Sequence, residues 1–355
     1  MRNRMHVTGA GRYTAQDIAR KVGVHPSTVS RALNPATRHR LSEDVTARIL
    51  AAAEELGYVR NDLAASLRTR NSMTVGVVLP DITNPVFPPI LEGIEAVLSA
   101  ERYVAIVANA GSEEAHQRLV VERLLARQVD GLILATVTRR DSLVDFCLKA
   151  GAPVVVINRS EAAGDHRVSS VVSDDARGMK LAVDHLVELG HRHIGHIAGP
   201  LNLSTGKGRL EGFGAAMQAH HLPAPGANVI LATAFSREAG REAASRLLDR
   251  RPDLTAVVAA NDLLAIGLYD ALADRGLACP GDISVVGHND MPFVDLISPP
   301  LTTVRIRHRE MGERSAEILL KKVQGAAEGG VDLVLKPDLV ARASTAQPRQ
   351  PRARP

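Results

Sequence analysis

Residues 13–34 of the chain read YTAQDIARKVGVHPSTVSRALN, and this stretch decides the fold of the first part of the molecule. Its first half predicts a helix that starts at Thr14, whose hydroxyl can cap the first turn, while the Asp17 carboxylate favours the positive helix end. The apolar residues of this helix share one face at helical spacing: Ile18, Ala19 and Val22. Gly23 follows, and glycine can take the positive φ of a tight helix end. The sequence therefore predicts a short amphipathic helix closed by a glycine turn.

A second helix can begin at Pro26, because proline suits the first helical position. Its inward-facing residues are apolar: Val29, Ala32 and Leu33. Its outer face carries short hydroxyls and one guanidinium: Ser27, Thr28, Ser30 and Arg31. A third helix is predicted to start at Ser42 and stop at Gly57, with an apolar stripe between them. The arrangement is typical of helix-turn-helix units, which present their second helix to the major groove. Any three-helix bundle can show such stripes, so periodicity alone leaves the function open.

The basic charge of the chain is concentrated at its start. Residues 1–72 carry 12 Lys/Arg and 6 Asp/Glu, a net charge of +6, whereas the remaining residues carry 31 basic and 33 acidic side chains, a net charge of −2. A small basic segment beside a nearly neutral body favours a polyanion as the partner of that segment. An ordinary solvated basic surface is the alternative.

Two features favour the cytoplasm as the location of the chain. Its two cysteines, Cys147 and Cys279, cannot form a disulfide framework, which fits a reducing interior. The start of the chain has no apolar core of signal-peptide length, and no apolar stretch approaches the ~20 residues that span a bilayer. We therefore expect a soluble, cytoplasmic protein with no membrane partner.

After Ser72, short apolar runs rich in β-branched residues alternate with helical stretches. The runs are Val75–Leu79, Val104–Val107, Gly131–Leu134, Val154–Ile157, His193–Ile197, Ala256–Ala259 and Ile283–Val286. Hydrophobic strands separated by helices indicate parallel sheets covered by helices on both faces. Pockets in such sheets lie beyond the carboxyl ends of the strands.

Several motifs closely resemble the lactose-repressor (LacI/GalR) family, in that family's order. Residues 13–24 and 27–34 are similar to its DNA-binding head, and residues 51–58 and 61–67 look like its third helix and its hinge. Further motifs of the family occur in the body: Asp81-Ile-Thr-Asn-Pro85, Val129-Asp-Gly-Leu132, Gly208-Arg-Leu-Glu-Gly-Phe213, Asn261-Asp262 and Pro299-Pro-Leu-Thr-Thr303. The resemblance runs from about Tyr13 to about Ala343. It implies an all-α helix-turn-helix head followed by an α/β body of two lobes, like the periplasmic binding proteins.

The resemblance also implies which residues meet DNA. In the head these are His25, Pro26, Ser27, Thr28, Ser30 and Arg31. Arg31 can give two parallel hydrogen bonds to a guanine, worth ~1–3 kcal/mol of discrimination. His25 stands at a helix-capping position, so its role is either a phosphate contact or simple capping.

In the hinge, the resemblance implies DNA contacts by Asn61, Leu67 and Arg68. The segment from Asn61 to Leu67 spans about two helical turns, too few to be stable alone in water. By resemblance it orders only on the operator, where Leu67 wedges into the minor groove. The alternative is an ordinary linker helix with Leu67 packed inside.

For the domains, we predict a helix-turn-helix domain over residues 12–58, a hinge over 59–72, a body over 73–345 and a flexible tail over 346–355. Three crossings near residues 158–160, 303–305 and 330–333 would join the lobes. The first lobe would hold residues 73–158 and 304–330, and the second lobe residues 159–303 and 331–345.

By position in the family, the residues that would line an effector cleft are Phe87, Asn158, Thr205, Arg209, Phe235, Asn261 and Asn289. Both phenylalanines could equally be plain core. Family members that bind neutral sugars or nucleosides often carry aspartate where Asn158 and Asn289 stand, and an amide removes negative charge and adds a donor. Our hypothesis is an anionic effector, such as an organic acid, held by Arg209 through paired charge-assisted bonds. A neutral sugar with amide contacts is the alternative.

We expect no catalytic residue, no metal site and no cofactor. The histidines of residues 191–196 stand at the entrance of a predicted strand, and the glycines near Lys207 do not have phosphate-loop spacing. The expected function is a dimeric repressor of catabolic or transport genes that binds a pseudo-palindromic operator under allosteric control by a small molecule. A ligand-responsive activator or dual regulator is the alternative, and a solute-binding protein is a remote one. The sequence does not tell whether the ligand releases or promotes DNA binding.

Overall fold

The computed structural model describes residues 13–58, 71–138, 142–161, 167–223, 226–326 and 329–349. The chain divides into two compact units, with the boundary between Ser72 and Met73. We call the first unit the head and the second unit the body. Asn61, Leu67 and Arg68 of the predicted hinge lie outside the described residues.

The described part of the head contains four helices. They are α1 (Ala15–Val22), α2 (Pro26–Leu33), α3 (Pro35–Arg38) and α4 (Glu43–Glu55). The predicted start and stop signals are confirmed. The Asp17 carboxylate accepts hydrogen bonds from the backbone N–H and the hydroxyl of Thr14, at 2.8 and 2.7 Å. Gly23 has φ +75° and donates its N–H to the carbonyl of Ala19 at 2.9 Å. The one-turn helix α3 was not predicted, because four residues are too few to show a helical period.

The core of the head joins α1, α2 and α4. Its buried residues are Ile18, Ala19, Val22, Val29, Ala32, Ile49, Ala52 and Ala53. All of the apolar residues that periodicity assigned to α1 are buried, as are two of the three assigned to α2. Burying α2 along one side leaves its opposite side free to contact a partner.

The body is built on two six-stranded sheets. In the first sheet the strands lie in the order β11-β5-β4-β3-β1-β2, and in the second the order is β12-β10-β9-β8-β6-β7. All neighbours pair in parallel except β12, which is antiparallel to β10. The first lobe contains β1 (Thr74–Leu79), α5 (Phe87–Ala100), β2 (Val104–Asn109), α6 (Glu114–Ala126), β3 (Gly131–Leu134), α7 (Ser142–Lys149), β4 (Val154–Ile157), β5 (Ser169–Ser173), α12 (His308–Val323) and β11 (Asp332–Leu335). The second lobe contains α8 (Asp175–Glu188), β6 (Ile194–Ala198), α9 (Ser204–Ala219), β7 (Val229–Leu231), α10 (Arg237–Arg250), β8 (Ala256–Ala259), α11 (Asp262–Asp274), β9 (Ser284–Asn289), β10 (Thr302–Arg305) and β12 (Asp338–Val340).

Helices cover both faces of each sheet, as the predicted class requires. In the first lobe, alternate residues of β1 point to opposite faces: Val77 packs toward α5 and α12, whereas Val78 packs toward α6 and α7. Cys147 is buried on the α7 side. Strands buried on both faces explain the nearly continuous apolar runs in the sequence. Within the described ranges, no helix is both long and apolar enough to cross a membrane.

Two of the three lobe crossings do not lie at their predicted positions. Strand β5 stays in the first sheet and pairs with β4, so the first crossing lies at Asp174 and not near 158–160. Strand β11 also joins the first sheet, which moves the third crossing from 330–333 to Lys336–Pro337. The second crossing follows Arg305, next to its predicted place. The error arose because β5 and β11 are short strands with polar ends, which resemble connecting segments.

The helices on one face of each sheet approach closely at glycines. A Cβ atom on Gly93 of α5 would lie 2.1 Å from the carbonyl oxygen of Arg309. A Cβ atom on Gly312 of α12 would lie 2.0 Å from the carbonyl oxygen of Ile90. The two helices therefore touch backbone to backbone, with no room for any side chain at either position.

Candidate functional site

The outer surface of α2 carries the predicted DNA-contacting side chains. His25, Ser27, Ser30 and Arg31 are exposed, and Pro26 and Thr28 are half-buried. Val29 and Ala32 lie on the opposite, buried side. The Arg31 side chain makes no hydrogen bond or ion pair within the described residues. Its five N–H donors are therefore available to an external acceptor.

Both ends of α2 are fixed by side chains. At its start, His25 Nδ1 accepts a hydrogen bond from the backbone N–H of Ser27 at 3.2 Å, and it lies 2.8 Å from the Ser27 hydroxyl. At its end, Arg38 Nε donates to the carbonyl of Ala32 at 2.9 Å. Of the two roles considered for His25, the structure contains the capping contact. A helix held at both ends presents its outer face in a defined orientation.

The seven predicted cleft residues lie around one cavity of ≈ 30 Å³ in the body. Phe87 opens α5, Asn158 follows β4, Thr205 and Arg209 belong to α9, and Phe235 precedes α10. Asn261 caps α11, and Asn289 ends β9. The cavity therefore lies between the lobes at the carboxyl ends of parallel strands, where ligands bind in such sheets. This volume is far below the roughly 300–1,000 Å³ that is typical of small-molecule pockets.

Three further residues line this cavity that were not among the predicted cleft residues: Asn84, Val86 and Arg159. Signals for two of them were present in the sequence. Asn84 lies in the motif Asp81–Pro85, and Arg159 is adjacent to Asn158.

The two phenylalanines of the cavity differ in burial. Phe87 is fully buried and also part of the core, whereas Phe235 is only half-buried.

Arg209 is the most constrained charge of the cavity. Its Nε donates to Asp175 Oδ1 at 2.8 Å, and its Nη1 donates to the carbonyl of Ala260 at 2.6 Å. Its guanidinium carbon lies 5.9 Å from the centre of the Phe235 ring, within cation–π range. Burial raises the pKa of Asp175, and the charge of Arg209 opposes that rise. Arg209 is thus already paired with a carboxylate of its own chain.

Arg159 has a different environment. Its Nε is enclosed without a hydrogen-bond partner, and the side chain forms no ion pair within the described residues. Burial, together with the charge of Arg209, lowers the pKa of Arg159 to about 10, so the group remains protonated at pH 7. The ten lining residues include these two arginines and no carboxylate.

The amide side chains serve the backbone as well as the cavity. Asn261 Oδ1 accepts from the N–H of Leu264 at 2.9 Å and so caps α11. Asn158 has a φ of +62°, in the left-handed region that asparagine tolerates better than most residues, and Asn289 has a φ of +120°. Asparagine at position 158 therefore has a conformational reason in addition to any role in ligand binding.

Asp290, the residue after Asn289, connects the cavity to two lobe crossings. Its carboxylate accepts from Arg305 Nε at 2.6 Å and from Arg342 Nη2 at 2.7 Å. Arg305 immediately precedes the second crossing, and Arg342 lies shortly after the third. Asp290 and Arg342 are both largely buried, so their ion pair is shielded from solvent, whereas Arg305 is half-exposed. A shift of Asn289 would move Asp290 and would therefore alter its ion pairs with residues near both crossings.

Three buried histidines near Arg209 make the body sensitive to acid. Burial lowers the pKa of His196 and of His308 to about 4, and it lowers the pKa of His288 well below the ordinary value. Between pH 6.5 and pH 4 the unfolded chain therefore binds more protons than the folded chain, so stability falls as the pH falls. Asp262 and Asp175 act in the opposite direction, because burial raises the pKa of Asp262 to about 6 and also raises the pKa of Asp175. Three histidines against two carboxylates give a net loss of stability in acid.

We expect His196→Gln to make the free energy of unfolding less dependent on pH between 6.5 and 4.5. The shift of this one group corresponds to about 3 kcal/mol over the full window. Denaturant titrations at several pH values measure the slope. His116→Gln, at an exposed position, is the control and should keep the wild-type slope. Equal slopes for wild type and His196→Gln would contradict this account.

Comparison with known proteins supports the predicted resemblance. Residues 14–61 match the family model of bacterial regulatory proteins of the lacI family, and residues 183–345 match the periplasmic binding protein-like domain. The ribose operon repressor of Escherichia coli K12 is 32% identical, with 93% of this chain and 99% of the relative covered. A solved lac repressor dimer bound to operator and the anti-inducer ONPF is 28% identical, has a TM-score of 0.84, and is matched over 95% of this chain and 100% of its own.

A further solved structure is a LacI family transcriptional regulator from Enterococcus faecium with bound ribose. It is 34% identical, has a TM-score of 0.68, and is matched over 78% of this chain and 100% of its own. These relatives are transcriptional regulators. The predicted family and the predicted fold class are thus confirmed, and the chain belongs to the LacI family of bacterial regulatory proteins.

Proposed function

We propose that this protein is a cytoplasmic, sequence-specific DNA-binding repressor whose affinity for its operator is set by a small molecule in the cleft of the body. The observation that carries the proposal is the outer face of α2, which is fixed at both ends and presents an unpaired Arg31. The related lac repressor binds an operator as a dimer, and related regulators bind small molecules. The protein has no proposed catalytic role, metal or cofactor.

Self-association is part of the proposal. Two large apolar side chains, Phe293 and Leu296, are 72% and 74% exposed in the loop after β9. Neighbouring apolar side chains that are this exposed favour contact with another protein surface. We assign a second copy of the chain to this surface, because a pseudo-palindromic operator requires two heads related by a twofold axis.

For the effector, we propose an anionic metabolite. Two guanidinium groups and no carboxylate line the cavity, and a carboxylate or phosphate forms strong paired bonds with arginine. The neutral-sugar alternative has one specific support, namely the ribose bound to the Enterococcus faecium relative. Because the cavity is small, binding requires the lobes or the Phe235 and Arg209 side chains to move.

In the proposed mechanism, the effector favours one arrangement of the two lobes. Asn289 senses the ligand, and Asp290 connects that residue to the crossings through Arg305 and Arg342. The change in lobe arrangement alters how firmly a dimer binds its operator. Such coupling between sites is typically ~1–3 kcal/mol, and it cannot exceed the differential affinity of the effector for the two states.

The proposal is tested by selecting duplexes from a random library with the purified full-length protein. Selected sequences are expected to be pseudo-palindromic, and sedimentation is expected to give a dimer. Calorimetric titration with neutral sugars and their matched acids then tests the effector class. Failure to enrich any sequence at moderate salt would contradict the function, and tight binding of a neutral monosaccharide would contradict the anionic effector. A promoter assay distinguishes a repressor from an activator.

A further inference from the structure

The cavity contains an arginine whose charge is not balanced by any carboxylate in the described ranges of the chain. Arg159 lines the space between the lobes, its Nε is enclosed without a partner, and no carboxylate pairs with it within the described residues. An enclosed charge without a partner is destabilising, because desolvation is not repaid by an opposite charge. A group retained at such a cost is a candidate for ligand binding.

One hydroxyl in the same condition belongs to a neighbouring strand. Ser173 Oγ is buried and has no hydrogen-bond partner in the described part of the chain. Strand β4, which leads to Arg159, pairs with β5 in the sheet. Ser173 lies two residues beyond the pair Ile157–Val171 on β5, as Arg159 does on β4, so the two residues correspond in the register.

Arg209 is less suited than Arg159 to pair with an anionic group of a ligand. Two of its nitrogens already donate to Asp175 and to the carbonyl of Ala260. An anion at Arg209 would compete with Asp175, whereas an anion at Arg159 would meet an unpaired charge. This assignment departs from the expectation that Arg209 alone holds the anionic group.

We infer that the carboxyl ends of β4 and β5 form an anion subsite, in which Arg159 pairs with a carboxylate or phosphate group of the effector and the Ser173 hydroxyl donates a hydrogen bond to it. The inference rests on the proposed function, since it names the part of the effector cleft that recognises charge. Arg209, held by Asp175 and packed near Phe235, then contacts the remainder of the ligand. The neutral amides of Asn158 and Asn289 leave this site without a competing negative charge.

The test uses the full-length protein and inorganic phosphate as the probe. Calorimetric titrations at constant ionic strength, balanced with sodium chloride, compare wild type with Arg159→Gln and Arg159→Lys. Wild type is expected to bind phosphate saturably. Arg159→Gln is expected to bind it at least about tenfold more weakly, because a charge-assisted pair is lost, and Arg159→Lys should fall between the two. Arg127→Gln, at an exposed position after α6, is the matched control and should behave as wild type.

A second readout is thermal stability without phosphate. Arg159→Gln is expected to unfold at the same temperature as wild type or higher, because the variant removes an unbalanced enclosed charge. Phosphate affinity that is unchanged in Arg159→Gln, a wild type that does not bind phosphate, or an Arg159→Gln variant with clearly lower stability would each overturn the inference. These outcomes leave operator binding untouched, whereas a wild-type protein with no duplex preference would contradict the proposed function instead.

Discussion

Replacing Arg31 with alanine is expected to weaken binding to the selected operator duplex by roughly 5- to 150-fold. This range corresponds to the ~1–3 kcal/mol that a bidentate arginine–guanine contact contributes to discrimination. The Arg31 side chain is exposed and makes no hydrogen bond or ion pair with any described residue that truncation would remove. The loss should therefore appear in DNA binding and not in the stability of the protein.

The measurement is fluorescence anisotropy with the selected duplex and with a scrambled duplex at the same salt concentration. Arg20→Ala is the matched control, because it removes the same charge from a side chain of α1 that is 80% exposed. Both variants should bind the scrambled duplex slightly more weakly, since each loses one positive charge. Only Arg31→Ala should lose preference for the selected sequence. Equal loss of preference in both variants would mean that α2 does not read bases.

Replacing Gly312 with alanine is expected to destabilise the body by about 2 kcal/mol or more. Alanine improves helix propensity by ~1 kcal/mol, but the added Cβ would lie 2.0 Å from the carbonyl oxygen of Ile90. Backbone cannot move aside as a flexible side chain can, so α5 and α12 must separate. We therefore expect a cost of about 3 kcal/mol or more, at the upper end of the range for overpacking, which leaves a net loss of about 2 kcal/mol or more. The steric cost is expected to exceed the gain in helix propensity, because the backbones of α5 and α12 are in equally close contact at Gly93.

Calorimetry of the main unfolding transition measures this effect, with an expected decrease in Tm of roughly 4–8 °C. Gly226→Ala is the matched control, since no atom lies within 4 Å of its added Cβ and its φ is not positive. That variant should unfold within about 1 °C of wild type. A Gly312→Ala protein as stable as wild type would contradict the close approach of α5 and α12.

Local signals made the head largely predictable from sequence. Thr14, Asp17 and Gly23 define α1 by hydrogen bonds within a few residues, and the apolar stripe of α2 needs no information from elsewhere in the chain. The central strands of the body were equally clear, because a strand buried on both faces reads as a continuous apolar run. Local chemistry does not reveal which sheet a short strand joins. For that reason the residues of β5 were assigned to the second lobe.

The cleft could be predicted as a set of residues but not as an electrostatic arrangement. The family resemblance indicated Arg209 and three of the four asparagines that line the cavity. It did not indicate that Asp175, 34 residues earlier, already pairs with Arg209. Nor could it reveal that Arg159 has no ion-pair partner among the described residues, because an absent contact depends on every neighbouring element of the fold. The acid-sensitive histidines, which are separated by long stretches of sequence, were hidden for the same reason.

The central claim is that one cleft controls how tightly the head binds its operator. It is tested most directly by measuring the affinity for the selected duplex with and without a saturating cleft ligand, and the affinity for that ligand with and without the duplex. The account predicts the same fold-change in both directions, roughly 5- to 150-fold, because coupling between two binding sites is reciprocal. A ligand that binds the cleft tightly and changes neither affinity would contradict the account.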